Sequence, residues 1–256
     1  MLKEFSDLGV NEKLQQSLVG LEISIPTDIQ KEAIPVVLNQ KDDLVVLAKT
    51  GTGKTVAFGL PLLQMVDLEN NAAQTLILAP TRELGQQIYN NLMAFAADSP
   101  EIVITSICGG TPIKPQIELL KSPTHIVVGT PGRLVDLMKR GAICLKNIKH
   151  LVLDEADEMV SALKEEVDII IKKIPKSRRT LLFTATMSGP IKQLVQKYMS
   201  KHVVQIEVDM ATVGHQGIEH QYVVVEPIEK LDVLLHFLNS KDGERGIIFC
   251  KTKAAV

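Results

Sequence analysis

This chain is constrained above all by a repeated switch between two hydrophobic periods. Short continuous apolar runs at 44–47, 75–78, 102–104, 126–128, 151–153 and 181–183 alternate with segments of helical spacing, such as Leu84, Ile88, Leu92 and Phe95, or Ile191, Leu194, Val195 and Tyr198. Unbroken Val, Ile and Leu runs lack the polar alternation of a half-solvated strand, so both faces of each strand must be covered. Strand and helix in alternation therefore predict an α/β fold, a parallel sheet sandwiched by helices. Ahead of it, Leu14, Leu18 and Leu21 predict one helix, and a second starts after Pro26-Thr27 and runs to Leu38.

At 256 residues the chain exceeds the ~100–200 residues of a typical domain, which predicts one full domain and part of another. The rhythm breaks between 209 and 217, where Thr212, Gly214, His215, Gln216 and Gly217 suit a linker. Beyond it, 221–225 and 246–250 read as strands, and Leu231, Leu234, Leu235 and Leu238 as a helix face. These residues are too few to close a core of their own. The expected organisation is a domain at 1–208, a linker at 209–217 and the truncated start of a second domain at 218–256.

Composition narrows the function classes. Hydrophobic residues at 45% and charged residues at 23% describe an ordinary globular protein. A net charge of −2 and a pI near 6.3 give no global basic field, so any contact with nucleic acid must be local. Cys108, Cys144 and Cys250 are odd in number and widely spaced, which fits reduced thiols. His125, His150, His202 and His215 show no metal-ligand spacing, and the methionines read as packing residues. The first seven residues lack a signal-peptide pattern, and no stretch approaches the ~18 apolar residues of a membrane span. A cytoplasmic location with no membrane partner is expected.

Directly after the run at 44–47 comes Ala48-Lys49-Thr50-Gly51-Thr52-Gly53-Lys54-Thr55, followed by a helical pattern. Strand, glycine loop, Lys-Thr and helix form a Walker A arrangement, in the relaxed form with alanine first. Gly51 and Gly53 let backbone amides turn toward phosphate oxygens, and the helix N-terminus adds positive potential. Lys54 can reach the β- and γ-phosphates, and the Thr55 hydroxyl can bind Mg2+.

The run at 151–153 ends in Asp154-Glu155-Ala156-Asp157, acidic side chains at the carboxyl tip of a strand, where open α/β sheets bind ligands. Alone, such a tetrad fits a solvated first turn of a helix better. Behind an apolar strand and downstream of Lys54, it completes a site for a nucleoside triphosphate and Mg2+. Asp154 is placed to hold the cation, and Glu155 to orient or deprotonate the attacking water.

With these motifs in place the chain resembles the DEAD-box family of superfamily 2 ATP-dependent RNA helicases, of bacterial type. Further segments carry the resemblance in order: Pro26-Thr27-Asp28-Ile29-Gln30 is similar to the Q motif, Pro80-Thr81-Arg82-Glu83-Leu84 to motif Ia, and Gly109-Gly110 to the family's glycine pair. Thr130-Pro131-Gly132-Arg133 is similar to motif Ib, Thr184-Ala185-Thr186 to motif III, and Ile247-Ile248-Phe249-Cys250 to motif IV. The likeness implies a RecA-like, P-loop NTPase sheet and a truncated second RecA-like domain. It implies ATP and Mg2+ as cofactors, with Gln30 and Thr27 reading adenine, Phe5 supporting that region, and residues 48–55 holding the phosphates.

It further implies that Pro80, Thr81, Arg82, Gly109, Gly110, Thr130, Pro131, Gly132 and Arg133 grip the RNA backbone without regard to sequence, and that Thr184 and Thr186 couple nucleotide state to RNA through Asp157. The expected protein is a monomer that unwinds short duplexes once its second domain is complete, with little turnover from residues 1–256 alone. Its protein partners stay open. Three positions depart from the family pattern: Ile23 stands where an aromatic usually stacks on adenine, Thr184 replaces serine, and Gly85 replaces alanine.

Two other classes share part of this pattern. A small-molecule kinase or another P-loop NTPase would have the Walker residues but no need of the segments at 80–84 and 130–133. An ATP-dependent RNA clamp or scaffold would have all of them without productive unwinding.

Overall fold

The computed structural model describes residues 2–208, 221–240, 243 and 245–250, and in it the apolar runs become strands of one sheet. The strands are β1 (Asp43–Leu47), β2 (Thr75–Leu78), β3 (Ile104–Ile107), β4 (Ile126–Gly129), β5 (His150–Leu153), β6 (Arg179–Thr184) and β7 (Val203–Glu207). They lie in the order β3-β4-β2-β5-β6-β1-β7, and every neighbouring pair is parallel. This is the helix-covered parallel α/β sheet that the alternation predicts.

Two strands differ from the sequence reading. The run expected at 102–104 enters the sheet only at Ile104 and continues through Thr105 and Ser106. Before it, Val103 N–H donates to His125 Nδ1 at 2.9 Å, so a side chain takes the place of a strand partner. The strand Val203–Glu207 was not anticipated; it is an edge strand with one buried residue, Ile206, and so lacks a continuous apolar run.

Because side chains alternate across a strand, each run feeds two cores. Leu44, Val46, Ile77, Val128, Val152 and Phe183 face one of them, together with Leu14 and Leu18, Ile34, Phe58, Leu92 and Phe95 from helices Glu12–Gly20, Asp28–Asn39, Lys54–Gln64 and Arg82–Phe95. Val45, Leu76, Val127, Leu151, Leu153 and Leu182 face the other, with Leu134, Met159, Ile170 and Ile191 from helices Pro131–Lys139, Ala156–Ala162, Lys164–Lys173 and Gly189–Tyr198. Phe58 and Phe183 meet at 5.1 Å between ring centroids, fixing the helix after β1 against β6. Truncating such a buried ring costs ~3–5 kcal/mol.

At the amino-terminal edge of the sheet two buried charges are satisfied by backbone. Arg179 donates Nε to Asp42 O at 2.6 Å, Nη1 to Val37 O at 2.6 Å and Nη2 to Val36 O at 3.1 Å. Val36 O and Val37 O lie in the last turn of helix Asp28–Asn39, where carbonyls run short of backbone donors. Asp43 accepts from Thr180 N–H and Ser200 N–H, each at 2.6 Å.

The chain divides into two compact units, Met1–Gly214 and His215–Val256. The second contains helix Lys230–Ser240, as its leucine spacing predicts. The residues expected as strands at 221–225 and 246–250 are not in strands among the described residues. A strand is stable only against a partner, and even the helix's apolar residues Leu231 and Phe237 are exposed. The linker expected at 209–217 lies outside the described residues. Among the described residues no helix is long and apolar enough to cross a membrane.

Candidate functional site

The loops after β1, β5 and β6 converge at the carboxyl edge of the sheet. The chain leaves β1 at Ala48, whose N–H donates to Thr184 O at 3.0 Å, and turns through Gly51 (φ +80°) and Gly53 (φ +90°) into the helix that starts at Lys54. Both glycines are in the left-handed region, and at Gly53 there is no room for another residue: an added Cβ would lie 2.3 Å from Gln30 Nε2.

The Q-motif-like segment braces this loop from behind. Thr27 Oγ1 donates to Thr52 O at 2.9 Å, and Gln30 Nε2 donates to Gly53 O at 3.2 Å while its Oε1 accepts from Thr27 N–H at 3.1 Å. Thr52 Oγ1 donates to Lys49 O at 2.9 Å. Gln30 is buried and does not line the cleft. Phe5 is fully buried in the core beside the N-terminal helices and does not line the cleft either.

Lys54 and Asp154, 100 residues apart in sequence, form an ion pair of 3.5 Å with 7% and 3% of their side chains exposed. Lys54 Nζ has no hydrogen-bond partner among the described residues. Asp154 Oδ1 also accepts from Glu155 N–H at 3.0 Å. Burial pushes the Asp154 carboxyl above its ordinary range against the pull of Lys54, and burial raises Glu155 in the same way. Glu155 sits at φ +50°, a left-handed conformation that costs a non-glycine residue ~1–3 kcal/mol and clusters at functional sites.

Thr50, Gly51, Gly53, Lys54, Thr55, Asp154 and Glu155 line one cleft of about 550 Å3. Its remaining wall was not anticipated: besides Leu21 and Ile23 it includes Gln87, Asn91 and Phe95 from helix Arg82–Phe95. Sequence gave no signal for these, since they are ordinary surface and core positions of a helix assigned to another motif. At the mouth, Thr186 Oγ1 donates to Asp157 at 3.1 Å, and Thr184 Oγ1 donates to Thr186 O at 3.0 Å.

The other group of candidate residues assembles on the same edge beyond β2 and β5. Strand order puts the ends of β3, β4 and β2 side by side. Arg82 Nη1 donates to Gly110 O at 3.2 Å, and Gly109 N–H donates to Thr130 Oγ1 at 3.2 Å. Thr81 caps helix Arg82–Phe95 by accepting from Leu84 N–H at 3.2 Å, with Pro80 just before it. Thr130 and Pro131 begin helix Pro131–Lys139, with Gly132 exposed in its first turn. Arg133 donates Nη1 to Gln116 Oε1 at 2.6 Å and Nη2 to Thr111 O at 2.8 Å. Gln116, buried and bonded to Cys108 O at 3.0 Å, is the brace that sequence missed.

Among the described residues no group of three or more His, Cys, Asp or Glu could cage a metal. A cation that keeps waters and shares phosphate oxygens needs only one or two protein ligands, which Thr55 and Asp154 can supply.

Comparison with known proteins gives a consistent answer. The DEAD/DEAH box helicase family model matches residues 27–194. The chain is 37% identical over 254 residues to the DEAD-box ATP-dependent RNA helicase CshA of Geobacillus kaustophilus, covering 98% of this chain and 54% of that protein. It is 39% identical over 257 residues to ATP-dependent RNA helicase CshA of Listeria monocytogenes, covering 100% and 49%. The chain thus spans about half the length of the curated relatives it matches. Among solved structures, a DEAD box protein from the hyperthermophile Methanococcus jannaschii aligns with TM-score 0.76 at 37% identity, covering 98% of this chain and 67% of that one. A variant of S. cerevisiae Dbp5 bound to RNA and ADP BeF3 aligns with TM-score 0.83 at 29% identity, covering 98% and 64%.

Proposed function

This chain belongs to the DEAD/DEAH box helicase family, and from that premise we propose that it binds ATP with Mg2+ at the cleft and the backbone of single-stranded RNA at the neighbouring loops. With a complete second domain the protein hydrolyses ATP and opens short RNA duplexes. Residues 1–208 act as the first RecA-like domain, 209–217 as the linker and 218–256 as the start of the second.

One observation carries this reading: Lys54 and Asp154 meet as a buried pair beside a carboxylate, Asp157, that is itself bonded to Thr186. The residues fit the ligands. Lys54 Nζ is a buried donor with no hydrogen-bond acceptor, which an anionic phosphate supplies. Gly51 and Gly53 turn backbone amides outward without a Cβ in the way. Mg2+ would be held by Thr55 and Asp154 and supplies, when bound, charge that offsets the triphosphate.

Within this site Lys54 holds the β- and γ-phosphates. Glu155 orients the attacking water and accepts its proton, and its raised carboxyl range moves it toward the useful window for a general base. Each Gln30 amide atom keeps one further bonding position besides those in use; a free lone pair and a free N–H complement the donor and acceptor that adenine presents. Arg82, Arg133, the amide at Gly110 and those of the helix start after Pro131 grip phosphates, while Gly109 N–H holds the Thr130 side chain beside them. Asp157 and Thr186 transmit nucleotide state to those loops.

Fluorescence anisotropy of a single-stranded RNA, with and without a non-hydrolysable ATP analogue, tests the proposal on the full chain. The analogue should strengthen RNA binding, and ATP should bind more tightly than GTP by titration calorimetry. Equal RNA affinity in both conditions would sink it.

A further inference from the structure

The loops that enter the strands at the amino-terminal edge, opposite the cleft, are unevenly charged. β5, β6, β1 and β7 are neighbours in that order, and their entering loops carry Lys146, Lys149, Lys176, Arg178, Lys41 and Lys201. The entering loops of β2 and β3 carry Asp and Glu but no Lys or Arg. A chain with a net charge of −2 therefore concentrates positive charge along half of one edge.

Lys41, Lys176 and Arg178 line a single cavity of about 330 Å3 together with Ser177 and Ser200. The cavity's carboxylates, Asp42 and Asp43, are outnumbered by its three cations. Asp43 also lines the cavity, but it is 6% exposed and spends its two oxygens on Thr180 N–H and Ser200 N–H, which leaves Asp42 as the exposed acid. Lys41, Lys176, Arg178 and Lys201 are in no ion pair among the described residues, whereas Lys149 is shared with Asp67 at 3.5 Å. Arg178 is held by Pro175 O and Tyr198 O, both at 3.1 Å, and its Nε is buried with no partner. The guanidinium is thus fixed in place, with its charge offset only in part by the Asp43 carboxylate nearby.

We infer that this rim is a second RNA site that binds the phosphodiester backbone on the edge opposite the nucleotide-dependent grip. It rests on the reading that RNA is the substrate, but not on the grip itself. Adjacent strands lie ~4.8 Å apart, so four strand ends span about 14 Å, long enough for a short run of backbone phosphates. A protein partner fits less well. Interface centres are poor in lysine and rich in aromatic and methionine side chains, and no exposed large apolar residue stands in these four loops.

The test compares the full chain with a K41E/K176E variant by RNA anisotropy across a salt series, with and without the ATP analogue. Both lysines are exposed and unpaired, so the fold should persist, and unchanged ATP affinity verifies it; K41Q/K176Q replaces the variant if that affinity changes. Nucleotide-independent affinity should fall about 10-fold at low salt, and the slope of log K against log salt should shrink by about 1.4, two contacts at ~0.7 each. Arg82→Glu should do the converse, removing the nucleotide-dependent increment and leaving this component. An unchanged salt slope and nucleotide-independent affinity in the lysine variant overturns the inference. So does poly-glutamate competing as well as RNA, which would mark a site for acidic protein segments. Failure of the proposed grip shows up separately, as no analogue-dependent increment in the wild type.

Discussion

The hydroxyl of Thr186 donates to the carboxylate of Asp157 across 3.1 Å, tying the end of β6 to the first turn of the helix after β5. The turn holding Thr186 is braced from within, since Thr184 Oγ1 donates to Thr186 O. The bond is exposed and single, suited to being broken and remade as the cleft fills.

Removing it should separate binding from work. Thr186→Val keeps the shape and loses the donor, so ATP affinity should stay within about twofold while strand displacement falls on the order of 10-fold, the scale of one bond to a charged group. Calorimetry and a displacement assay on the full-length protein check this.

Lys54 and Glu155, both facing the cleft, should fail in different ways. Lys54→Ala leaves Asp154 buried without its cation, which should cost ~3–5 kcal/mol of folding stability, and it removes the charged donor to the phosphates, worth ~1.5–3 kcal/mol, so ATP affinity should drop about 10- to 100-fold. Glu155→Gln should leave ATP and RNA affinity nearly unchanged and lower turnover on the order of 10^2–10^4. Calorimetric ATP affinity for Lys54→Ala equal to wild type would refute the phosphate site.

Stability should carry an acid signature from His150. Burial, with Arg179 and Lys149 nearby, lowers its pKa from 6.5 to about 4, so the fold holds the imidazole neutral. Its contribution is present above pH 6.5 and is lost as pH falls from 6.5 to about 4, on the order of 3 kcal/mol in total. Urea unfolding across that window should show a shallower decline for His150→Gln than for wild type.

The glycine at 85 has a structural cause. A Cβ there would lie 2.5 Å from Cys108 Sγ, and Cys108 is 5% exposed. Gly85→Ala should therefore destabilise by ~1–3 kcal/mol through overpacking, despite alanine's helix propensity. Gly85→Ala with Cys108→Ala should recover that loss, because the propensity gain of ~1 kcal/mol then acts alone. Thermal melts of the two variants decide it.

The motifs at 48–55 and 154–157 and the alternation of apolar runs were legible because their chemistry is local: a glycine loop or an acidic strand tip is written in consecutive residues. The edge strand Val203–Glu207 was not, since its pairing with β1 needs no continuous apolar run. Nor was Gln116, whose bond to Arg133 joins two helices with no shared pattern.

Sequence by itself determined the central strands and helices, the α/β class and the identity of the reactive groups, because periodicity and backbone freedom are properties of neighbouring residues. Tertiary structure alone decided that Lys54 lies 3.5 Å from Asp154, that Gln30 holds the phosphate loop from behind, and that the lysines before β5, β6, β1 and β7 form one rim. The reason is strand order: β3-β4-β2-β5-β6-β1-β7 brings together loops far apart in the chain, and no local pattern encodes that order.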